Sequence, residues 1–78
     1  MTLGNLIKNK DYDYVSYRLK LPDKSDIFAG CFASKAGKII SLDGDTIYDE
    51  KDEVLSYEEW SNPEEGIQNG LTVVVSYN

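Results

Sequence analysis

Carboxylates dominate the stretch "ISLDGDTIYDEKDEVLSYEEW", which closes on Trp60. Their types and spacing allow three kinds of chemistry: oxygen ligation of a hard cation, general acid–base work by a carboxyl pair, or imitation of the phosphates of a nucleic acid. A calcium loop of the EF-hand kind needs oxygen ligands at positions 1, 3 and 5, glycine at 6 and glutamate at 12. Counted from Asp43, Asp45 falls at position 3, but positions 5, 6 and 12 are Ile47, Tyr48 and Val54. An EF-hand is therefore excluded, and Asp43, Asp45 and Asp49 offer at most weak cation binding. The chain has no histidine and one cysteine. The usual transition-metal sites and any Cys–His nucleophile are excluded with them. Acid–base hydrolysis needs two carboxyls whose surroundings push their pKa values apart. Nothing in the sequence singles out two among fourteen acids. No glycine-rich phosphate loop is present, so the sequence predicts a protein that is not an enzyme and carries no cofactor.

The acids are unevenly spread. The formal net charge is −6, and the last cation is Lys51. A surface of this sign repels phosphate backbones and anionic lipids, which argues against direct nucleic-acid binding and against a membrane surface. It suits a protein partner, or a basic groove on a DNA-processing enzyme that a row of carboxylates occupies in place of phosphates. The residues predicted to meet a partner are Tyr14, Asp49, Glu50, Asp52, Glu58 and Glu59. Tyr14 is included because tyrosine is a favoured interface anchor and falls on the wet side of its strand.

These residues must be held by a single small domain of 78 residues. "TLGNLIKN" predicts a short helix capped by Thr2, with Leu3, Leu6 and Ile7 on one side. In "YVSYRLKL", Val15, Tyr17, Leu19 and Leu21 alternate with polar residues, which predicts a strand with one dry face. "IFAGCFAS" is apolar throughout and predicts a central strand covered on both sides or nearly so, with Cys31 buried and a bulge, a sharp bend or the close approach of another element at Gly30. "KAGK" predicts a tight turn into "KIISL", completing a meander. Gly44 in "LDGD" predicts a reversal that needs a positive φ. "EVLSY" predicts a fourth strand, with Ser56 and Glu59 at the spacing of a helical cap as an alternative. "SNPEEGIQNG" predicts a loop with one helical turn, and "LTVVVSY" the last strand. Tyr17 and Trp60 are assigned to the core. The fold class that follows is α+β: a short N-terminal helix packed on a small antiparallel sheet of about five strands, with a curled, barrel-like roll as the variant. The lone cysteine and the lack of a long apolar run point to a cytoplasmic protein.

The pieces "ISLDGD", "LSYEEW" and "NGLTV" give the chain a resemblance to small uncharacterised proteins encoded on conjugative transposons and prophage-like elements of gut Firmicutes. The resemblance spans most of the chain and rests on turn and strand-end motifs. It carries no activity or functional residues. It implies a bacterial cytoplasm and a mobile element, a setting in which small acidic inhibitors of defence or DNA-processing enzymes occur. The expectation is thus a small, acidic, non-enzymatic binding protein acting through protein–protein contact. The alternatives are a nucleic-acid-mimicking inhibitor and a weak metal-binding protein or minor enzyme.

Overall fold

The alternation of dry and wet residues in the first strand sets the architecture. In the computed structural model, which describes residues 1–44 and 48–76, α1 (Leu3–Lys8) is followed by β1 (Tyr12–Lys20), β2 (Asp26–Lys35), β3 (Lys38–Ser41), β4 (Val54–Asn62) and β5 (Ile67–Ser76). A single 3-10 turn, Pro63–Glu65, joins the last two strands. The strands form one sheet in the order β3-β2-β1-β5-β4. The meander β1-β2-β3 is antiparallel, as expected. The predicted all-antiparallel sheet is corrected: β1 and β5 run parallel in the middle, so the sheet is mixed. It is also open, with β3 and β4 as free ends of the order, and is not a barrel. The reason is topological. The chain crosses from β3 at one edge to β4 at the other, and β5 turns back into the space beside β1.

One face of this sheet is dry. Val15 and Tyr17 of β1, Phe32 of β2, and Leu71, Val73 and Val75 of β5 are buried against Leu3 and Ile7 of α1. A helix of six residues is too short to persist alone. Here it is docked at both its N-terminal and apolar sides. Thr2 Oγ1 accepts the Asn5 N–H at 3.2 Å, as the capping residue expected there. The amides of Leu3 and Gly4 donate to the carbonyls of Asp52 and Glu50, each at 2.8 Å. Segment 48–53 therefore lies beside α1 on the covered face. Tyr48 completes the layer by packing edge-on against Phe32 and Tyr17. On β2, between Tyr12 and Ile39, the hydroxyl of Ser34, 2 % exposed, has no hydrogen-bond partner among the described residues.

No helix among the described residues lies on the other face. This overturns the expectation that β2 is covered on both sides. Cys31 is half-buried rather than buried, and Phe28 on the same strand is 53 % exposed. An apolar strand with only one covered face reads, from sequence, like one with two. The bulge predicted near Gly30 is present, as a register shift between Tyr17 and Arg18 in the pairing of β1 with β2. Two other readings are corrected. The Ser56–Glu59 segment is extended within β4, not helical, because it pairs with β5 from Tyr57↔Val73 to Trp60↔Gly70. The last strand starts at Ile67, four residues before the expected Leu71, so Asn69-Gly70 lies inside it. Gly44 has φ +75°, the reversal that "LDGD" requires.

The β2–β3 hairpin turns through Ala36 and Gly37 at φ +54° and +77°. Two positive values in a two-residue hairpin loop suit Asn-Gly best. An alanine there is held against its preference, and its N–H is fixed by Asp11 Oδ1 at 2.8 Å. Replacing Ala36 by asparagine is expected to raise stability by about 1 kcal/mol. An upward shift of the urea midpoint at unchanged slope is the readout; a downward shift would mean that the turn is not strained.

Candidate interaction surface

The residues of the uncovered face fall into rows fixed by strand register. Tyr14 of β1 lies beside Gly70 of β5, and Gly70 beside Trp60 of β4. Cys31, Ser16, Thr72 and Glu58 form the next row, and Phe28, Arg18, Val74 and Ser56 the third. The Trp60 ring crosses Gly70 to reach Tyr14. The two rings meet edge-on with centroids 5.9 Å apart. Trp60 Nε1–H donates to Thr72 Oγ1 at 3.0 Å, which fixes the indole flat across β5. A Cβ on Gly70 would stand 2.6 Å from the Trp60 ring. Gly70 is therefore the seat of the indole, and Trp60 lies half-buried on the open face instead of in the core. The sequence assignment of Trp60 to the core missed this because its signal is the cross-strand pairing of Trp60 with a glycine, which no local pattern reveals.

The predicted contact residues do not come together as one surface. Tyr14 and Glu58 share the open face. Asp52 is turned to the covered side, where the Tyr17 hydroxyl donates to its Oδ2 at 2.5 Å. Asp49 accepts the Lys51 N–H at 2.9 Å. Glu50 sits on the same segment beside Gly4. Glu59 accepts from the Tyr12 hydroxyl at 2.7 Å and pairs with Lys10 at 3.3 Å. Asp52, Asp49 and Glu59 thus bond to their own chain. Asp45, one of the acids considered for cation binding, lies outside the described residues.

The division runs by residue type. Every aspartate among the described residues accepts a hydrogen bond from the chain itself. Asp13 Oδ2 takes the N–H groups of both Gln68 and Asn69 at 3.0 Å, which pins the start of β5 beside β1. Asp43 takes that of Cys31, and Asp23 both the N–H and the hydroxyl of Ser25. Asp26 receives Arg18 Nε at 2.5 Å. The short aspartate side chain reaches nearby backbone donors, and glutamate, one methylene longer, does so less readily. The carboxylates of Glu50, Glu58, Glu64 and Glu65 form no hydrogen bond or ion pair among the described residues. Glu50 lies beside α1, and the other three lie on the open face of β4 and in the turn that follows it. Among the described residues no group of three or more His, Cys, Asp or Glu side chains is placed to hold a metal.

Three phenols of β1, those of Tyr12, Tyr14 and Tyr17, are held protonated. Burial pushes Tyr14 up, and the Cys31 thiol and the Asp43 and Glu65 charges push the same way. Burial, then the Glu59 carboxylate, raises Tyr12 strongly; burial and Asp52 do the same for Tyr17. In return the Tyr12 hydroxyl, with Lys10, holds Glu59 below the usual carboxylate range.

No family model matches this chain, and neither a curated protein nor a solved structure is similar to it. No helix among the described residues is long and apolar enough to cross a membrane.

Two expectations follow. Gly70→Ala should evict the indole from its seat, costing about 1–3 kcal/mol as overpacking does and shifting Trp60 emission to the red; unchanged emission would mean that the ring does not rest on Gly70. The second concerns pH. Glu59 ionises more readily folded than unfolded, so its contribution is present above its ordinary value of 4.5 and is lost as the pH falls through the lower folded value. Tyr12 ionises less readily folded, so its contribution is present below its ordinary value of 10.0 and is lost as the pH rises beyond it. Tyr12→Phe should flatten both limbs of the stability–pH curve followed by urea midpoints, and limbs as steep as in the parent chain would show that the pair is not coupled to folding.

Proposed function

We propose that this chain is a non-enzymatic binding protein whose open sheet face meets a protein partner, with Tyr14 and Trp60 as its centre. The observation that carries the reading is the pre-ordered aromatic pair. Trp60 is fixed by Thr72 and by its seat on Gly70, and Tyr14 is set against its edge, on a face that no helix among the described residues covers. A rigid aromatic pair loses little side-chain freedom on binding, which is why such residues serve as interface anchors. Cys31, Val74 and the exposed Phe28 extend the apolar area, and Arg18 is occupied by Asp26. The free carboxylate of Glu58 borders Trp60 on the same strand and favours a partner with cationic groups at its rim.

Imitation of a nucleic acid is the weaker reading on this geometry. A phosphate row needs carboxylates turned outward, and Asp43, Asp49, Asp52 and Glu59 are turned to their own chain. The compartment of this reading is the bacterial cytoplasm, where a lone half-exposed thiol stays reduced. Membership of a mobile element rests on the sequence resemblance alone.

The test is comparative capture from a bacterial lysate by the immobilised chain and by its Tyr14→Ala and Phe28→Ser variants, each shown to keep the parent melting temperature to within a few degrees. A partner retained by the parent chain and lost by both variants is expected, with retention that survives moderate salt. A partner held equally by all three, or released by salt alone, would sink the open face as the contact surface and return the acids to first place.

A further inference from the structure

A sheet that is not closed has two edges, and this chain treats them differently. β3 is only four residues long, with Lys35 and Lys38 at its hairpin end. Beyond Ser41, where its pairing with β2 stops, the exposed backbone of Cys31 is closed off. Its N–H donates to Asp43 and its carbonyl accepts from the Tyr48 hydroxyl. Short length and lysine are common guards of a sheet edge. β4 is nine residues long. Its beginning is closed by the N-terminus: Thr2 bridges Glu53, and the Val54 N–H donates to the Met1 carbonyl at 2.8 Å. From Leu55 onward no element of the described chain lies along its outer side. Between the register irregularities at 54/56 and 60/62, Ser56 to Trp60 is regular strand. Alternate residues of an antiparallel edge aim both backbone groups outward. Leu55 and Tyr57, 52 % and 49 % exposed, line an open pocket at the Met1 end of this edge.

The charge of β4 decides what fits there. A second copy laid antiparallel along the whole edge would set Glu58 against Glu58 at the centre, and like charges directly opposite destabilise a strand pair. Each copy also brings a net charge of −6, which opposes association of any register. The edge is thus guarded against itself by a sign, and a guard of one sign attracts the other. Glu59 is occupied by Tyr12 and Lys10, on the covered side. Glu58 is free, on the open side, one row from the Trp60 ring. A cation facing Glu58 has both a carboxylate and an aromatic within reach.

We propose that the outer edge of β4 takes up an extended, lysine- or arginine-bearing segment of a partner protein as a sixth strand. Its cationic side chains lie on the open side against Glu58 and Trp60. Its alternate, apolar side chains lie on the covered side against Tyr57 and the pocket beside Met1. The edge site shares Glu58 and Trp60 with the open-face contact, but its backbone pairing along β4 does not depend on that contact.

The probe is a blocked eight-residue peptide of alternating lysine and valine, followed by fluorescence anisotropy and by amide chemical shifts of the full chain. Two further peptides are N-methylated at alternate positions, one in each frame, which removes backbone donors from one side at unchanged charge. Shifts confined to residues 55 to 62 are expected. One N-methylated frame should bind at least about tenfold more weakly and the other nearly as well, since a strand bonds through one side only. Glu58→Lys, with an unchanged melting temperature, should weaken binding by a similar factor. Equal affinity of both N-methylated peptides would reduce the contact to charge adsorption and overturn the proposal. So would shifts centred on Ser16 and Cys31, or sedimentation showing that the chain pairs its own copies through β4. Failure of the peptide while Tyr14-dependent capture persists removes the edge and leaves the open face standing.

Discussion

A helix of six residues has more unsatisfied backbone groups at its ends than hydrogen bonds within it, and that constraint governs this molecule. α1 cannot bury the core unless something else satisfies its first amides. Segment 48–53 does so with the carbonyls of Glu50 and Asp52, and the same Asp52 receives the Tyr17 hydroxyl from the middle of the sheet. One residue therefore ties the helix to β1. Gly4, a poor helix former, is where it is because segment 48–53 passes so close: a Cβ there would stand 3.1 Å from the Glu50 carbonyl oxygen. Helix, connecting segment and central strand are one cooperative unit. The core beneath them, from Leu3 to Val75, joins the two ends of the chain.

The acidity of the chain has a corresponding explanation. In a small sheet many loop and edge N–H groups fall outside the strand ladder, and each takes an acceptor from the chain or from water. Asp11, Asp13, Asp23, Asp43 and Asp49 each supply such an acceptor, at the hairpin, at the start of β5, and in the turns. Much of the negative charge is therefore a by-product of backbone accounting. The glutamates left over give the surface its sign, and they gather toward β4 and the turn after it.

How far the sequence could be read depended on whether the relevant signal was local. The cap at Thr2, the alternation from Val15 to Leu19, the turn at Gly44 and the hairpin at "KAGK" are each written in a few consecutive residues, and each is present. The parallel pairing of β1 with β5 is not local: the pairs from Tyr14↔Gly70 to Lys20↔Ser76 span most of the sequence, and an apolar strand pairs in either direction. Trp60 and Cys31 were placed too deep for a related reason. Hydrophobic character shows that a side chain prefers to leave water, but not whether the fold supplies a second layer to cover it. Among the described residues there is one short α-helix, and it covers one face. The partner residues read from charge alone scattered because Asp and Glu look alike as charges and differ as backbone acceptors; only Tyr14 and Glu58 of that set share the open face.

The order of the sheet also has a temporal meaning. β5 is the last strand in the chain, yet it sits between β1 and β4. During synthesis the β1–β2–β3 meander can form while β4 has nothing to pair with and β1 has one side bare. Leu71, Val73 and Val75, three of the residues that close the core, all lie in β5 and follow β4 in sequence. Contacts of such long sequence separation come late in folding. A chain without β5 is consequently not a slightly shortened protein but two unjoined pieces, and the insertion of β5 between β1 and β4 is the event that makes the sheet whole.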